Sequence, residues 1–366
     1  MVNLIKLVGA RDATAGASHR FNRHGMQDET MQTNQSAEFS MTRREALAGT
    51  VAVALAASGH ARADSSSRLL LGGFVIPPGR PYPGPGQMGD SEADDPEALA
   101  QECQRLGYTA AYCPLAKPGD QARVNAIRKA YGRRNIVISE VGVWKNMMTP
   151  DETARKANLQ SVTEGMALAD EVGARCCVDV AGSFDPATLS GPHLGNLSQE
   201  FIDRTIENCR HILDAVKPKR SAFAIEMKAY NFPNGPDQYL SLVKAVDRPA
   251  FGVHIDICNS INSPERFYNN TALIRETFSK LGPWIKSCHA KDLKWIPDVP
   301  VHFEETVPGR GGLPSAGVPG VDYKTYIREI VKVGAPLMLE HLKSAAEYKE
   351  GAEYIRKTAA EIGVSA

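Results

Sequence analysis

The chain carries no net charge, with 42 Lys+Arg set against 42 Asp+Glu in 366 residues. It contains no basic cluster, which argues against nucleic acid as its main partner. No apolar run reaches the roughly 18 residues that a membrane-crossing helix needs, so a stable membrane anchor is not expected. Seven cysteines are present but none forms a CxxC pair. Most lie inside apolar runs, the usage of buried thiols rather than of a disulfide framework. No GxGxxG turn follows the first strand-like run, which counts against a doubly wound nucleotide-binding sheet. With 43% hydrophobic and 23% charged residues, the balance is that of a folded globular chain.

The first 63 residues read as an address rather than as fold. Residues 1–40 are polar and show no core pattern. Residues 41–63, MTRREALAGTVAVALAASGHARA, hold Arg43 and Arg44, an apolar stretch and Ala61-Arg62-Ala63 in the order of a secretory signal. The segment resembles a twin-arginine export signal, with Met41 as the expected start and cleavage after Ala63. That implies the twin-arginine export machinery as a partner and a periplasmic or extracytoplasmic destination. Residues 64–366 then form the mature body. Export of an already folded chain is compatible with buried reduced thiols.

Within that body, short apolar runs alternate with longer helical patterns. Strands are expected at 69–76, 110–114, 136–143, 176–182, 221–227, 251–258, 285–291 and 336–341. Helices are expected at 95–107, 120–133, 150–173, 198–216, 236–246, 269–281, 322–333 and 344–362, several opened by Asp-Pro-Glu or Thr-Pro-Asp-Glu and closed by Gly107, Gly173 or Gly334. Eight βα units predict an α/β fold, a single closed (β/α)8 TIM barrel.

Such barrels place their chemistry where the strands end. Four charged or imidazole side chains occupy those ends on successive late strands: Glu226, Asp256, His289 and Glu340. Any one of them alone is commonly an ion-pair partner or a core histidine. Three carboxylates converging at one mouth repel each other and resist desolvation. One divalent cation resolves that conflict, and an oxygen-rich set with one imidazole suits Mn, Mg, Co or Zn, with Mn favoured.

Five further residues are candidate substrate contacts. Lys291 shares the face of His289, with a salt bridge to a strand-end carboxylate as the equal alternative. Asn259 lies three residues past Asp256. Glu140 and Trp144 close the third strand. Arg310 lies in the long Gly/Pro-rich segment 293–320, read as one functional loop. The stretch 77–94 is a second loop candidate. Asp292 is read as a brace for its loop, His254 as a core histidine, and His341 as pointing outward against a helix.

IEMK with Glu226, HIDICN with Asp256, CHAKD with His289, GVPGVDYKTYI at 317–327 and LMLEH with Glu340 together resemble the xylose isomerase-like TIM-barrel superfamily, often named sugar phosphate isomerases/epimerases. The resemblance covers roughly 69–363. It implies that Glu226, Asp256, His289 and Glu340 bind one divalent metal, and that Glu226 and Glu340 act as base and acid on opposite faces of a small-molecule carbohydrate. The expected activity is therefore isomerisation or epimerisation of a sugar or keto-sugar by proton abstraction beside a carbonyl. A lyase or dehydratase acting on a keto-glycoside or cyclic keto-polyol begins with the same step. A non-catalytic periplasmic sugar-binding protein would need no four-ligand metal set.

Overall fold

The computed structural model describes residues 68–77, 79–84 and 93–366. The proposed export signal, including Arg43, Arg44 and the cleavage site, lies outside the described residues, as do residues 78 and 85–92 of the loop candidate 77–94.

Twelve strands are described. The first seven are β1 (Leu70–Gly72), β2 (Ala110–Tyr112), β3 (Val137–Gly142), β4 (Cys176–Val180), β5 (Ala222–Glu226), β6 (Phe251–Asp256) and β7 (Ile285–Ala290). Four short strands follow, β8 (Asp292–Ile296), β9 (His302–Thr306), β10 (Gly312–Leu313) and β11 (Val318–Pro319), and then β12 (Pro336–Leu339). The main sheet is parallel with eight strands in the order β1-β12-β7-β6-β5-β4-β3-β2. No strand ladder joins β1 to β2. Instead the Thr109 N–H donates to the Leu71 carbonyl at 2.8 Å, and the Leu71 N–H donates to Thr109 Oγ1 at 3.1 Å. The threonine thereby bridges the gap, and the barrel is nearly closed.

Helices α1 (Pro96–Arg105), α2 (Gln121–Gly132), α3 (Glu152–Val172), α4 (Gln199–Val216), α5 (Pro236–Val246), α6 (Ile257–Ser260), α7 (Pro264–Tyr268), α8 (Asn270–Leu281), α9 (Tyr323–Val333) and α10 (Ala345–Glu361) fill the connections. The start of α3 differs from the sequence reading. Asp151, not Thr149, caps it by accepting the Ala154 N–H, which leaves Pro150 before the helix. Its end is as expected: Gly173 takes the left-handed conformation that glycine adopts without a Cβ penalty. All seven cysteines are free and buried.

One expectation fails outright. Segment 293–320 is not a single loop but most of a second, four-stranded sheet ordered β11-β10-β8-β9. The reason lies in the residue before it. Buried Asp292 accepts the Leu293 and Val321 N–H groups at Oδ1, and those of Gly309 and Gly311 at Oδ2, so one carboxylate gathers both ends of the segment. A Cβ on Gly311 would sit 2.1 Å from Asp292 Oδ1, so a side chain there would push the carboxylate out. Among the described residues, no helix is long and apolar enough to cross a membrane.

Candidate metal centre and barrel mouth

Period-two alternation on parallel strands aims one side chain of each late strand into the barrel at the same height. Glu226 ends β5, Asp256 ends β6, His289 is the penultimate residue of β7, and Glu340 follows β12 directly. Register supports this convergence: Asp256 pairs with His289, and His289 with Met338. Tyrosines from the helix layer anchor the strands from behind. Tyr239 donates to the Ile225 carbonyl at 2.5 Å, Tyr326 to the His289 carbonyl at 3.0 Å, and Tyr323 to the Lys291 carbonyl at 2.8 Å.

One potential ligand atom from each of Glu226, Asp256, His289 and Glu340 lies within 4.8 Å of the others, and all four residues are buried. His289 Nδ1 is 3.0 Å from Glu340 Oε1 and 3.3 Å from Glu226 Oε1. Its Nε2 faces Glu140 Oε1 at 3.3 Å, a carboxylate of the kind that fixes the tautomer of a ligating imidazole. Asp256 Oδ1 accepts the Cys258 and Asn259 N–H groups at the start of α6. Its fully buried Oδ2 is ion-paired with Lys291 Nζ at 2.7 Å and accepts no further hydrogen bond.

The charges are strongly coupled. Burial alone would raise Glu226, but Lys228, at 2.6 Å, and His289 hold its carboxyl well below the usual range. Burial opposes ionisation of Glu340 too, and is overcome by His289 and Lys291. For Asp256 burial wins over Lys291, and its pKa is raised to about 6. Burial disfavours His289 as a cation, but Glu340 and Glu140 outweigh it and push the imidazole well above its ordinary value. Lys291 is 1% exposed and held as an ammonium by Asp256, Glu340 and Glu305.

The donor set fits a divalent cation. Glu140, Glu226, Asp256, Glu305 and Glu340 face only two lysines, Lys228 and Lys291, leaving an excess of three negative charges when the imidazoles are neutral. A divalent ion reduces that excess to one.

The remaining sequence candidates divide. Lys291 makes the ion pair: its Nζ is 2.6 Å from Glu340 Oε1. Asn259 Nδ2 donates to Glu226 Oε1 at 3.1 Å, so it steadies a ligand. Glu140 supports His289, and also meets Ser287 at 3.3 Å and His254 at 3.5 Å inside the barrel. His254 is wholly buried, and burial lowers its pKa to about 4, keeping it neutral. Trp144 stands at the mouth, its ring 6.4 Å from that of His289.

Arg310 is not at the mouth. Its guanidinium is bidentate to Glu350 on α10, at 2.5 and 2.6 Å, because the second sheet turns this residue toward that helix. His341 is the opposite correction. With φ at 56°, its backbone leaves the strand path, so alternation no longer applies and the ring joins the mouth. Its Nδ1 lies 2.9 Å from Glu305 Oε2 and its Nε2 3.5 Å from Glu340 Oε2. Two residues escaped the sequence reading. Lys228 sits two beyond Glu226, as Lys291 sits two beyond His289, so the same parity would have found it. Glu305 lies on β9, a strand that only the folded second sheet reveals.

A cavity of about 550 Å³ opens beside the cluster. Its walls include Glu140, Glu226, Lys228, Glu340 and His341 on one side, and rings from the early strands on the other.

With that geometry in view, comparisons with known proteins place the chain. The family model described as xylose isomerase-like TIM barrel matches residues 100–358. The chain belongs to the xylose isomerase-like TIM barrel family. No curated protein matches it. Among solved structures it is similar to a xylose isomerase domain protein from Planctomyces limnophilus, with TM-score 0.56 and 15% identity over 81% of this chain and 98% of that one. It is also similar to D-psicose 3-epimerase from Clostridium cellulolyticum, with TM-score 0.52 and 14% identity over 74% and 94%. Endonuclease IV from Thermus thermophilus gives TM-score 0.52 and 16% identity over 73% and 94%. At these identities the likeness concerns the fold alone, and it spans more than one chemistry.

Proposed function

We propose that the protein is a divalent-metal-dependent isomerase or epimerase acting on a sugar or keto-sugar by proton transfer beside a carbonyl. The observation that carries this reading is the pair Glu226 and Glu340, whose carboxylates converge on His289 Nδ1 at 3.3 and 3.0 Å and both line the cavity. Each glutamate has its own lysine: Lys228 for Glu226 and Lys291 for Glu340. Two carboxylates beside one substrate position are what removal of a proton and its return require. Family membership and the similarity to an epimerase support the choice. The zero net charge weighs against the nucleic-acid chemistry of the endonuclease neighbour.

A bound divalent ion would supply Lewis acidity toward a carbonyl and its neighbouring hydroxyl. The chain's own groups do the rest. Glu226, steadied by Asn259, takes the proton; Glu340 returns one that it receives from the Lys291 ammonium 2.6 Å away. Lys228 lines the cavity, so a substrate oxygen can draw its ammonium away from Glu226. That frees the carboxylate as a base, since a group held far below neutral accepts protons poorly. Mn is the favoured metal, and twin-arginine export to the periplasm remains part of the proposal.

The test is solvent-deuterium incorporation into a panel of keto-sugars with metal-loaded protein, followed by NMR. Exchange at a carbon next to the carbonyl is expected, and it should vanish in Glu226→Gln. Exchange occurs whether the reaction ends in epimerisation or elimination, and the product then separates the two. Absence of exchange with every keto-sugar and metal tried would overturn the reading.

A further inference from the structure

The proton-transfer cluster uses only the late-strand side of the mouth. The early-strand side is built differently. Phe74 and Tyr82 follow β1, Tyr112 ends β2, Trp144 follows β3, and Tyr348 comes from α10. Phe74 meets Tyr82 and Tyr348 at ring separations of 6.0 Å, and Tyr82 meets Tyr348 at 6.2 Å. This wall is held in place: the Tyr82 hydroxyl donates to the Leu342 carbonyl, and that of Tyr112 to the Leu339 carbonyl at 3.1 Å. Leu115 and Leu189, 39% and 38% exposed, line the same cavity.

Trp144 is set with particular care. Its φ of 58° is one that bulky residues rarely adopt, and such strain persists only where the surroundings impose it. Asp179, buried on β4, imposes it by accepting the Lys145 N–H at 2.9 Å. Gly142 makes room, since a Cβ there would come within 2.6 Å of the indole nitrogen. The indole thus faces the cavity between the carboxylates and the leucines.

A sugar alone asks for hydrogen-bonding groups around its hydroxyls and one aromatic platform. Here five rings and several aliphatic side chains share a cavity of about 550 Å³, in the range that encloses drug-sized ligands, and away from the metal cluster its polar lining is limited to Lys117, Ser161, Glu164 and Ser190. We propose that this early-strand wall is a second subsite, which takes an aromatic or similarly flat apolar group attached to the sugar. The substrate class is accordingly glycosides or conjugates with an aryl substituent, in preference to free monosaccharides. The inference rests on the sugar reading above and deepens it.

The test is calorimetric titration of metal-loaded protein with matched phenyl and methyl glycosides in the gluco, galacto and xylo series. The phenyl member should bind about ten- to a hundredfold tighter, the factor that burying one ring brings. In the double variant Leu115→Asn/Leu189→Asn, whose sites are already partly exposed, the ratio should fall markedly while methyl-glycoside affinity stays the same. A wild-type ratio near one, a ratio undiminished in the variant, or no binding by any pair overturns the proposal. The wild-type ratio decides alone if the variant does not fold. The two readings fail separately. A phenyl preference without deuterium exchange removes the reaction and keeps the subsite. Exchange on free keto-sugars without a phenyl preference does the reverse.

Discussion

The two halves of the barrel mouth contrast sharply. Strands β5, β6, β7 and β12 deliver carboxylates, an imidazole and lysines, each within hydrogen-bond or ion-pair reach of the next. The loops after β1, β2 and β3 deliver rings and aliphatic groups that touch by packing. The difference teaches a division of labour. Buried charges fix positions sharply but tolerate no missing partner, whereas an apolar wall binds by area and tolerates adjustment. Substitutions in the first half should therefore be far more damaging than those in the second.

The largest effect is expected at the two converging glutamates. Glu226→Gln and Glu340→Gln should each lower turnover by about 10²–10⁴, the usual contribution of a positioned proton-transfer group, with circular dichroism unchanged. A variant with near-normal turnover would remove its residue from the proton path.

Metal affinity comes next. His289→Ala takes away the imidazole of the cluster, and bound metal per chain should drop well below one by elemental analysis. Glu140→Gln leaves the ligands in place but loses the carboxylate facing His289 Nε2, and the metal should bind about 10–100-fold more weakly. Retention of full occupancy in His289→Ala would break the four-ligand centre.

In the apolar half, Gly142→Ala should act through Trp144 alone. The added methyl displaces the indole that it would meet at 2.6 Å. KM for an aryl substrate should rise several-fold with kcat little changed, because the ring takes no part in proton transfer. A fall in kcat of the size seen for the glutamates would mean that the two halves are not separate.

These contrasts also explain what the sequence reveals. A carboxylate or imidazole inside an apolar strand is conspicuous, so Glu226, Asp256, His289 and Glu340 could be brought together by counting strands. Their barrel was legible for the same reason, as eight apolar runs at similar spacing. The aromatic wall is not conspicuous, since Phe74, Tyr112 and Tyr348 look like ordinary core residues until their loops are placed. His341 misled because alternation assumes strand geometry, and its positive φ breaks that geometry. Asp292 was legible as a brace for its loop, but the second sheet was hidden because that carboxylate organises it through backbone N–H groups that carry no sequence signature.

A smaller effect concerns Asp179, which holds the Trp144 turn. Burial raises its pKa to about 8 against hydrogen bonds from Lys145 and Val180 that lower it. A carboxyl raised on folding keeps its proton while the unfolded chain releases it. The folded state therefore loses stability as pH rises from about 4 to about 8, and little more beyond. Asp179→Asn keeps an oxygen for the Lys145 N–H and removes the titration. Its urea-unfolding stability should lose that pH slope, up to one proton's worth, relative to the wild type. An identical slope in the two proteins would show that Asp179 ionises freely.

The smallest effect is expected at Arg310, which tests whether the second sheet contributes to the mouth by charge or only by placing Glu305. The guanidinium and Glu350 form a pair that is about half exposed on both sides. Exposed pairs contribute about 0–1 kcal/mol, since water screens the attraction and two long side chains lose freedom. Arg310→Ala should therefore leave metal content, sugar affinity and turnover at wild-type levels. Glu305→Gln, on the same sheet, weakens a direct contact of Lys291 and His341 and should not be silent. If Arg310→Ala instead weakened binding of anionic ligands, the guanidinium would have to leave Glu350 and swing over the mouth. The boundary between the charged half and its surroundings would then lie beyond the late strands, out on the second sheet.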